Sequence, residues 1–402
     1  MRNKSVLIIE ASAKAALPLM ESLWQIGLHV IAGSSEKINS GFFSRACQER
    51  IVYPSCQYRS AEFKEWLLSF LRKRKIDQLF PVGHYGTLLV SEIQDEIRKY
   101  TRLLLPSHNV FWRGYAKIPT MKTAIAAGVP IPNSWFPHEL SGGLDQAVKN
   151  IKNWPILIKP SIGAGANGIV WCYKPSDVLE NWPRIENKYG ICFLQEFIPP
   201  GGMQYKVDML VDGRQRRLAG VAYGKTRMYP PDGGSSVLNY TDNRPDILDY
   251  AYQLLVELDW IGFCDFDFIV DPRDDLPKLM EINPRFPECI KMCTSVGINF
   301  PRMIYELANG QIVEPMNSYP VNRFLRFLPG DLMWFLRVNN NSRSKTWPDW
   351  FKFFDKNTAY QICSLRDPGP IIGYLLGNLI QFISDPNIRK SRLRLDVGPK
   401  HS

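Results

Sequence analysis

The chain has 402 residues, of which 45% are hydrophobic and 22% charged, with a formal net charge of +10. This length can bury the cores of two or three domains, and the composition is that of an ordinary globular protein. The basic balance fits anionic ligands, nucleic acid or a membrane surface, or else general surface basicity.

The apolar run in the opening MRNKSVLIIEAS is far too short for the core of a signal peptide. SVLII reads as a strand. In SAKAALPLMESLWQIG the residues Ala15, Leu19, Leu23 and Ile26 recur at helical spacing, and Gly27 supplies a stop. HVIAGS, RIVYPS and DQLFPVG read as further strands, FKEWLLSFLRKRK as a helix, and LLLPS (103–107) as an extension of the sheet. Strands alternating with helices predict a parallel, doubly wound sheet over residues 1–110.

AKIPTMKTAIAAGVPIP then gives a helix stopped by Gly128. From residue 155 the pattern turns to β-rich hairpins: PILIKP, GIVWCY, ICFLQEF, QYKVDMLVDG and RRLAGVAYG. DILDYAYQLLVELD is a helix, GFCDFDFIV and LPKLMEIN are strands joined by the turn-rich DPRDD, and NFPRMIYELANG is a closing helix capped by Gly310. The remainder is rich in Trp, Phe and Arg, and from Val321 onward thirteen Lys and Arg against six Asp and Glu leave +7. Its longest apolar run, IIGYLLGNLIQFI (371–383), is shorter than a membrane-spanning helix and precedes the basic NIRKSRLR. It reads either as an interfacial helix or as a helix packed on its domain. The eight cysteines form no CxxC pair and no zinc spacing, which suits buried, reduced thiols in a cytosolic protein.

Four groups of residues carry candidate chemistry. The stretch ILIKPSIGAGANGIV places Lys159 at a strand end directly before a loop of glycine, alanine and serine, a composition that lets backbone N–H groups approach an anion. It is neither a Walker A loop, lacking the Lys-Ser/Thr, nor a Rossmann fingerprint, because a strand follows it. Glu281 and Asn283, two apart in a strand, share a face, and a hairpin through 271–277 sets Asp267 and Asp265 beside them. Carboxylates amid Phe, Ile, Met and Leu call for a cation, and oxygen donors of this kind suit Mg2+; the alternative is a solvated strand face. Lys225 and Arg227, in YGKTRMYPPDGGSS, begin a loop that either carries cations to an anionic intermediate or is a solvated turn. Arg285 has the planar fork that holds a carboxylate or acyl phosphate bidentately, and Lys117 precedes a helix as either a ligand or an exposed lysine.

Taken in order, AKIPTMKTAIAAGVPIP, ILIKPSIGAGANGIV, FLQEFIP and FDFIV…LMEINPR resemble the motifs of the ATP-grasp superfamily over most of residues 1–312. Within it the chain looks most like the carboxylate–amine ligase or carbamoyl-phosphate-synthase-like branch, whose R-x-x-P-x-x-G-G loops resemble RMYPPDGG. The resemblance implies a mixed α/β and α+β architecture: an N-terminal doubly wound domain (1–110), two α+β ATP-grasp subdomains (111–197, with the lid loop, and 198–318, with the metal site), and a basic aromatic extension (319–402). It also implies that Lys117 and Lys159 contact ATP phosphates and that the loop 161–168, with Ser161, Gly163, Gly165 and Gly168, closes over them. Gln195, Glu196 and Ile198 would line the adenine, and Gln204 stands where the family commonly has a glutamate for the ribose. Asp267, Glu281 and Asn283 would hold Mg2+, or Mn2+ in its place, and Arg285 would orient substrate with Lys225 or Arg227.

The activity so implied is ATP-dependent activation of a carboxylate as an acyl phosphate, followed by amide or peptide bond formation with release of ADP and phosphate. A carbamoyl-phosphate or carboxylase reaction is the alternative, as is an ATP-binding protein held at a membrane or an anionic polymer. The expected partners are a small carboxylate and an amine, an amino acid or sugar acid among them, and a second copy of the chain. No nucleic acid is expected, for lack of a recognition module. The expected location is cytoplasmic, with peripheral contact at the inner membrane face through the C-terminal segment.

Overall fold

The computed structural model describes residues 4–163, 167–231, 234–338, 342–343, 345–346, 350–353 and 355–384. The chain divides into two compact units. One comprises 1–104, 223–242 and 285–402; the other comprises 105–222 and 243–284. The C-terminal segment, expected as a separate extension, therefore falls within the first unit.

The first unit opens with a parallel four-stranded sheet in the order Glu49–Val52, His29–Ser34, Ser5–Ile9, Gln78–Pro81. Its central strands SVLII and HVIAGS are almost wholly buried, the pattern of a sheet covered on both faces. The flanking helix Ala16–Gln25 buries Leu19, Met20 and Leu23, and Gly27 follows at φ +83°. Ile26 is not part of that buried stripe: it caps the helix and is exposed. The helix Ser60–Lys73 buries Phe63, Leu67 and Leu71 at intervals of four, each contributing about 1.5–3 kcal/mol. LLLPS does not extend the sheet. Only Arg102 bridges to Gln78, and Pro106 has no N–H to continue a ladder.

The same unit holds further strands. Tyr223–Tyr229, the second half of a long strand (Arg217–Tyr229), pairs antiparallel with Ser235–Thr241; Phe324–Arg326 pairs with the latter, and Thr358–Tyr360 adds in parallel. Lys225 and Arg227 are thus on a strand, not in a loop as expected; the connection is confined to residues 230–234, because the ladder continues to Tyr229↔Ser235. The helix Gly369–Ser384, expected from the apolar run 371–383, and the helix Leu328–Arg337, which the sequence reading passed over, complete it.

The second unit contains two sheets. In the smaller, Ser134–Trp135, Cys192–Glu196, Ile156–Pro160 and Val170–Cys172 lie in that order, all antiparallel. The helix Pro175–Tyr189, which the sequence reading passed over, covers it with Val178, Trp182 and Ile185 against Ile156, Ile158 and Leu194. Strands Ile156–Pro160 and Val170–Cys172 form a hairpin, so the glycine-rich stretch is a hairpin connection rather than a strand-to-helix turn. In the other sheet, Pro277–Asn283, Gly262–Val270 and Gln204–Val211 run antiparallel. The helix Pro245–Leu258 packs on it, and Lys117–Ala126 opens beside its outer strand.

Candidate functional site

The smaller sheet ends on Lys159. Its ammonium is buried and donates to Gln195 Oε1 at 2.6 Å; Gln195 is held in turn by donating to Ser134 Oγ at 3.0 Å. Because Lys159 and Phe193 are register partners, the neighbouring Gln195 on the adjacent strand is in reach of the lysine's long side chain. Burial lowers the Lys159 pKa to about 8; the nearby Glu281 carboxylate opposes that shift, and Lys117 adds to it. Lys159 is therefore a cation held ready in a poorly solvated place, where an added phosphate would be strongly attracted.

Lys117 joins three parts of this unit. Its backbone N–H donates to Ser161 O at 2.7 Å, its ammonium to Gly163 O at 2.7 Å, and the ammonium also lies 3.3 Å from Glu281 Oε2. Ser161 is buried, and its Oγ accepts from Ile118 N at 3.4 Å, so the start of the glycine stretch is hooked to the start of the helix Lys117–Ala126. Gly168 closes the connection at φ +80°, where a Cβ would meet the Pro160 and Tyr189 rings. Gly165 lies outside the described residues.

The acidic group assembles as the strand period predicts. Asp267 faces Glu281 directly across the ladder, and Asp265 faces Asn283. Asn283 Nδ2 donates to Asp267 Oδ2 at 3.1 Å. Lys206, which the sequence reading did not single out, lies on the next strand opposite Asp267 and bonds Asp265 Oδ2 at 2.8 Å and Asp267 Oδ2 at 2.9 Å. Burial pushes the Asp265 carboxyl up, and the Lys206 ammonium opposes this. Asp265 Oδ1 makes no hydrogen bond among the described residues. Among those residues no cluster of three His, Cys, Asp or Glu forms a cage. Two carboxylates and an amide oxygen on one face nonetheless fit Mg2+, which binds through one or two carboxylates and completes its octahedron with phosphate oxygens and water.

The hinge residues are placed less simply. The Glu196 side chain is spoken for: Asn133 donates to it through Nδ2 at 2.8 Å, and Arg273 forms a short ion pair with it. Any contact of Glu196 with a base would therefore run through its backbone. Ile198 is buried just beyond, and Gln204 starts its strand half-buried opposite Ile269.

The remaining predicted residues belong to the first unit. Lys225 is half-buried opposite Asn239. Arg227 is buried, with its Nη1 3.0 Å from both carboxylate oxygens of Asp331, which also accepts from Arg326 at 2.6 Å; its guanidinium stacks 4.8 Å over Trp334. Its cationic fork is consumed by the fold. Arg285 is half-buried and acts electrostatically on Glu10, which sequence reasoning missed. Glu10 follows the first strand at φ +61° and accepts from Gly86 N at 3.0 Å, at the start of the helix His84–Glu92. It stands where the sheet order reverses, at the carboxyl ends of the strands, the position at which open α/β sheets hold ligands. A non-glycine residue at positive φ is a local oddity, but no spacing rule predicts it.

A family model described as ATP-grasp in the biosynthetic pathway with Ter operon matches residues 193–327, the span that carries the hinge, the paired carboxylates and Arg285. Over that span the chain is similar to ATP-grasp proteins. A D-aspartate ligase of Enterococcus faecium is 23% identical over 271 residues, 61% of this chain and 62% of that protein. The chain thus spans less than two thirds of this relative's length. Among solved structures, a biotin carboxylase from Campylobacter jejuni, solved with a β,γ-ATP complex, superposes with a TM-score of 0.67 at 14% identity over 80% of this chain and 74% of that one. An L-amino acid ligase from Bacillus licheniformis gives 0.57 at 14% identity over 78% of each. These likenesses establish the ATP-grasp fold.

Proposed function

We propose that this ATP-grasp protein is an ATP-dependent ligase that joins a carboxylate to an amine, with an amino acid among its substrates. The observation that carries the reading is the grouping of two lysines, one buried and one bridging the glycine hairpin to Glu281, beside the facing pair Asp267 and Glu281. Such a set neutralises a polyphosphate at one end and offers oxygen donors at the other. The amino-acid specificity named for both the E. faecium and the B. licheniformis proteins supports the substrate class.

A carboxylate resists amines because its charge is delocalised and oxide is a poor leaving group. In the proposed reaction a carboxylate oxygen attacks the γ-phosphorus of ATP, the bond to the bridging oxygen breaks, and ADP leaves. The amine nitrogen then attacks the acyl carbon of the resulting acyl phosphate, phosphate departs with the bonding pair, and the nitrogen loses its proton. Lys159 and Lys117 hold the phosphates, and Gln195 fixes the direction of the Lys159 ammonium. Asp267, Glu281 and Asn283 would hold Mg2+, which when bound neutralises charge on the transferring phosphoryl group. The 161–168 connection covers the phosphates and keeps water from the acyl phosphate. Ile198 and Gln204 are assigned to the adenine and ribose, and Arg285 and Lys225 to the acid; Arg227 is left to the fold by its bond to Asp331.

The test is ADP release from the purified full chain with paired amino acids and sugar acids, with mass spectrometry of the products. A new amide, formed one for one with ADP, is the expected result. ADP release that depends on bicarbonate and yields no amide would replace this reading with a carboxylase one.

A further inference from the structure

The helix Gly369–Ser384 is built inside out. Its sequence, GPIIGYLLGNLIQFIS, has no charged residue. Gly369, Gly373 and Gly377, four apart, share one face, and that face is seated on the chain at Ile38–Phe43. A Cβ at Gly373 would stand 2.5 Å from the Asn39 carbonyl oxygen, and one at Gly377 would stand 2.9 Å from that of Ile38. Only glycine permits this approach of helix to backbone. The large residues are consequently turned outward. Ile372, Leu375, Leu376, Leu379, Ile380 and Ile383 recur at intervals of three and four, and all are between 41% and 65% exposed. At 1.5 Å per residue the stripe is about 17 Å long. An amphipathic helix on a globular surface normally buries such a stripe and leaves its small or polar side to water.

We propose that this stripe docks on an anionic lipid bilayer, lying in the plane of the interface. Charge selects this occupant. The eighteen residues after the helix, DPNIRKSRLRLDVGPKHS, carry five Lys and Arg against two Asp, with Arg389, Lys390, Arg392 and Arg394 clustered within six positions. A second copy of the chain seated on this face would bring two such basic runs together, whereas an anionic surface neutralises them. An uncharged apolar face beside a basic run supplies the two signals that peripheral membrane attachment needs. No helix among the described residues is long and apolar enough to cross a membrane, so attachment at the surface is the arrangement this stripe allows.

Flotation of the full chain with vesicles tests the proposal. The protein is expected to float with phosphatidylcholine vesicles containing a quarter phosphatidylglycerol and to stay at the bottom with phosphatidylcholine alone. Added salt should weaken the binding. Leu375→Ser, Leu379→Ser and Ile383→Ser together should lower the floated fraction on the order of tenfold while shifting the circular dichroism melt little, because each of these side chains is more than half exposed. Replacing Arg389, Lys390, Arg392 and Arg394 by Gln should abolish the preference for anionic vesicles. The proposal is overturned if the intact chain ignores anionic vesicles. It is equally overturned if sedimentation shows a dimer that the triple serine variant separates.

Discussion

Replacing Glu10 by Gln should change how stability depends on pH. Burial raises the Glu10 pKa from 4.5 to about 7, against the pull of the Gly86 and Gly83 N–H groups and of Arg285; Glu288 pushes the same way as burial. Tyr53, whose hydroxyl accepts from Glu10 N at 2.6 Å, and the Cys56 thiol are both pushed further up by burial and stay neutral in this range. Below the unfolded value the carboxyl is protonated in both states. As pH rises toward 7 the unfolded chain releases the proton and the fold does not, so stability falls; above 7 the full penalty persists. At 1.36 kcal/mol per pKa unit the complete penalty is about 3 kcal/mol, of which about 2.5 develops between pH 5 and pH 8. The Gln variant has no such term. Its loss of a backbone hydrogen bond, about 1 kcal/mol, is the same at both pH values and cancels in the comparison. Urea unfolding of both proteins at pH 5 and pH 8 should therefore show the variant gaining about 2.5 kcal/mol on the wild type as pH rises. An unchanged difference would refute the claim that Glu10 is held neutral by its surroundings.

Glu281→Gln removes a charged oxygen donor from the acidic face and is expected to cut ADP release by about a hundredfold or more, with an unaltered melting curve. Full activity would remove Glu281 from the metal set. Lys159→Ala should raise the ATP concentration needed for half-maximal rate and slow turnover, and a Gln195→Ala chain should show a milder form of the same defect; unchanged kinetics in both would contradict the phosphate role. Arg227→Ala leaves Asp331 short of a partner in a buried site and should destabilise the fold by about 3–5 kcal/mol in thermal unfolding. If instead it melts like the wild type and only catalysis fails, Arg227 is a substrate residue after all.

Local relations in the chain determined a good part of this protein. The strand–helix alternation of the first hundred residues predicted a parallel sheet, and apolar runs without alternation matched its two buried faces. The turn DPRDD and the strand period of two were enough to set Asp267 opposite Glu281. The strands flanking the glycine stretch identified its connection as a hairpin. Each of these depends on neighbours within a few residues or one turn, which spacing encodes.

Tertiary structure decided the rest, because it depends on pairings that no periodicity specifies. Lys206 neutralises Asp265 from 59 positions away, Lys159 finds Gln195 at 36, and Asp331 captures Arg227 at 104. Nothing near Arg227 in the sequence distinguishes a buried structural cation from one facing a substrate. The helix at residues 369–384 makes the same point in reverse. Its sequence announces an aliphatic stripe, but a stripe has no inherent direction. The close approach of three glycines to another stretch of backbone turned it outward.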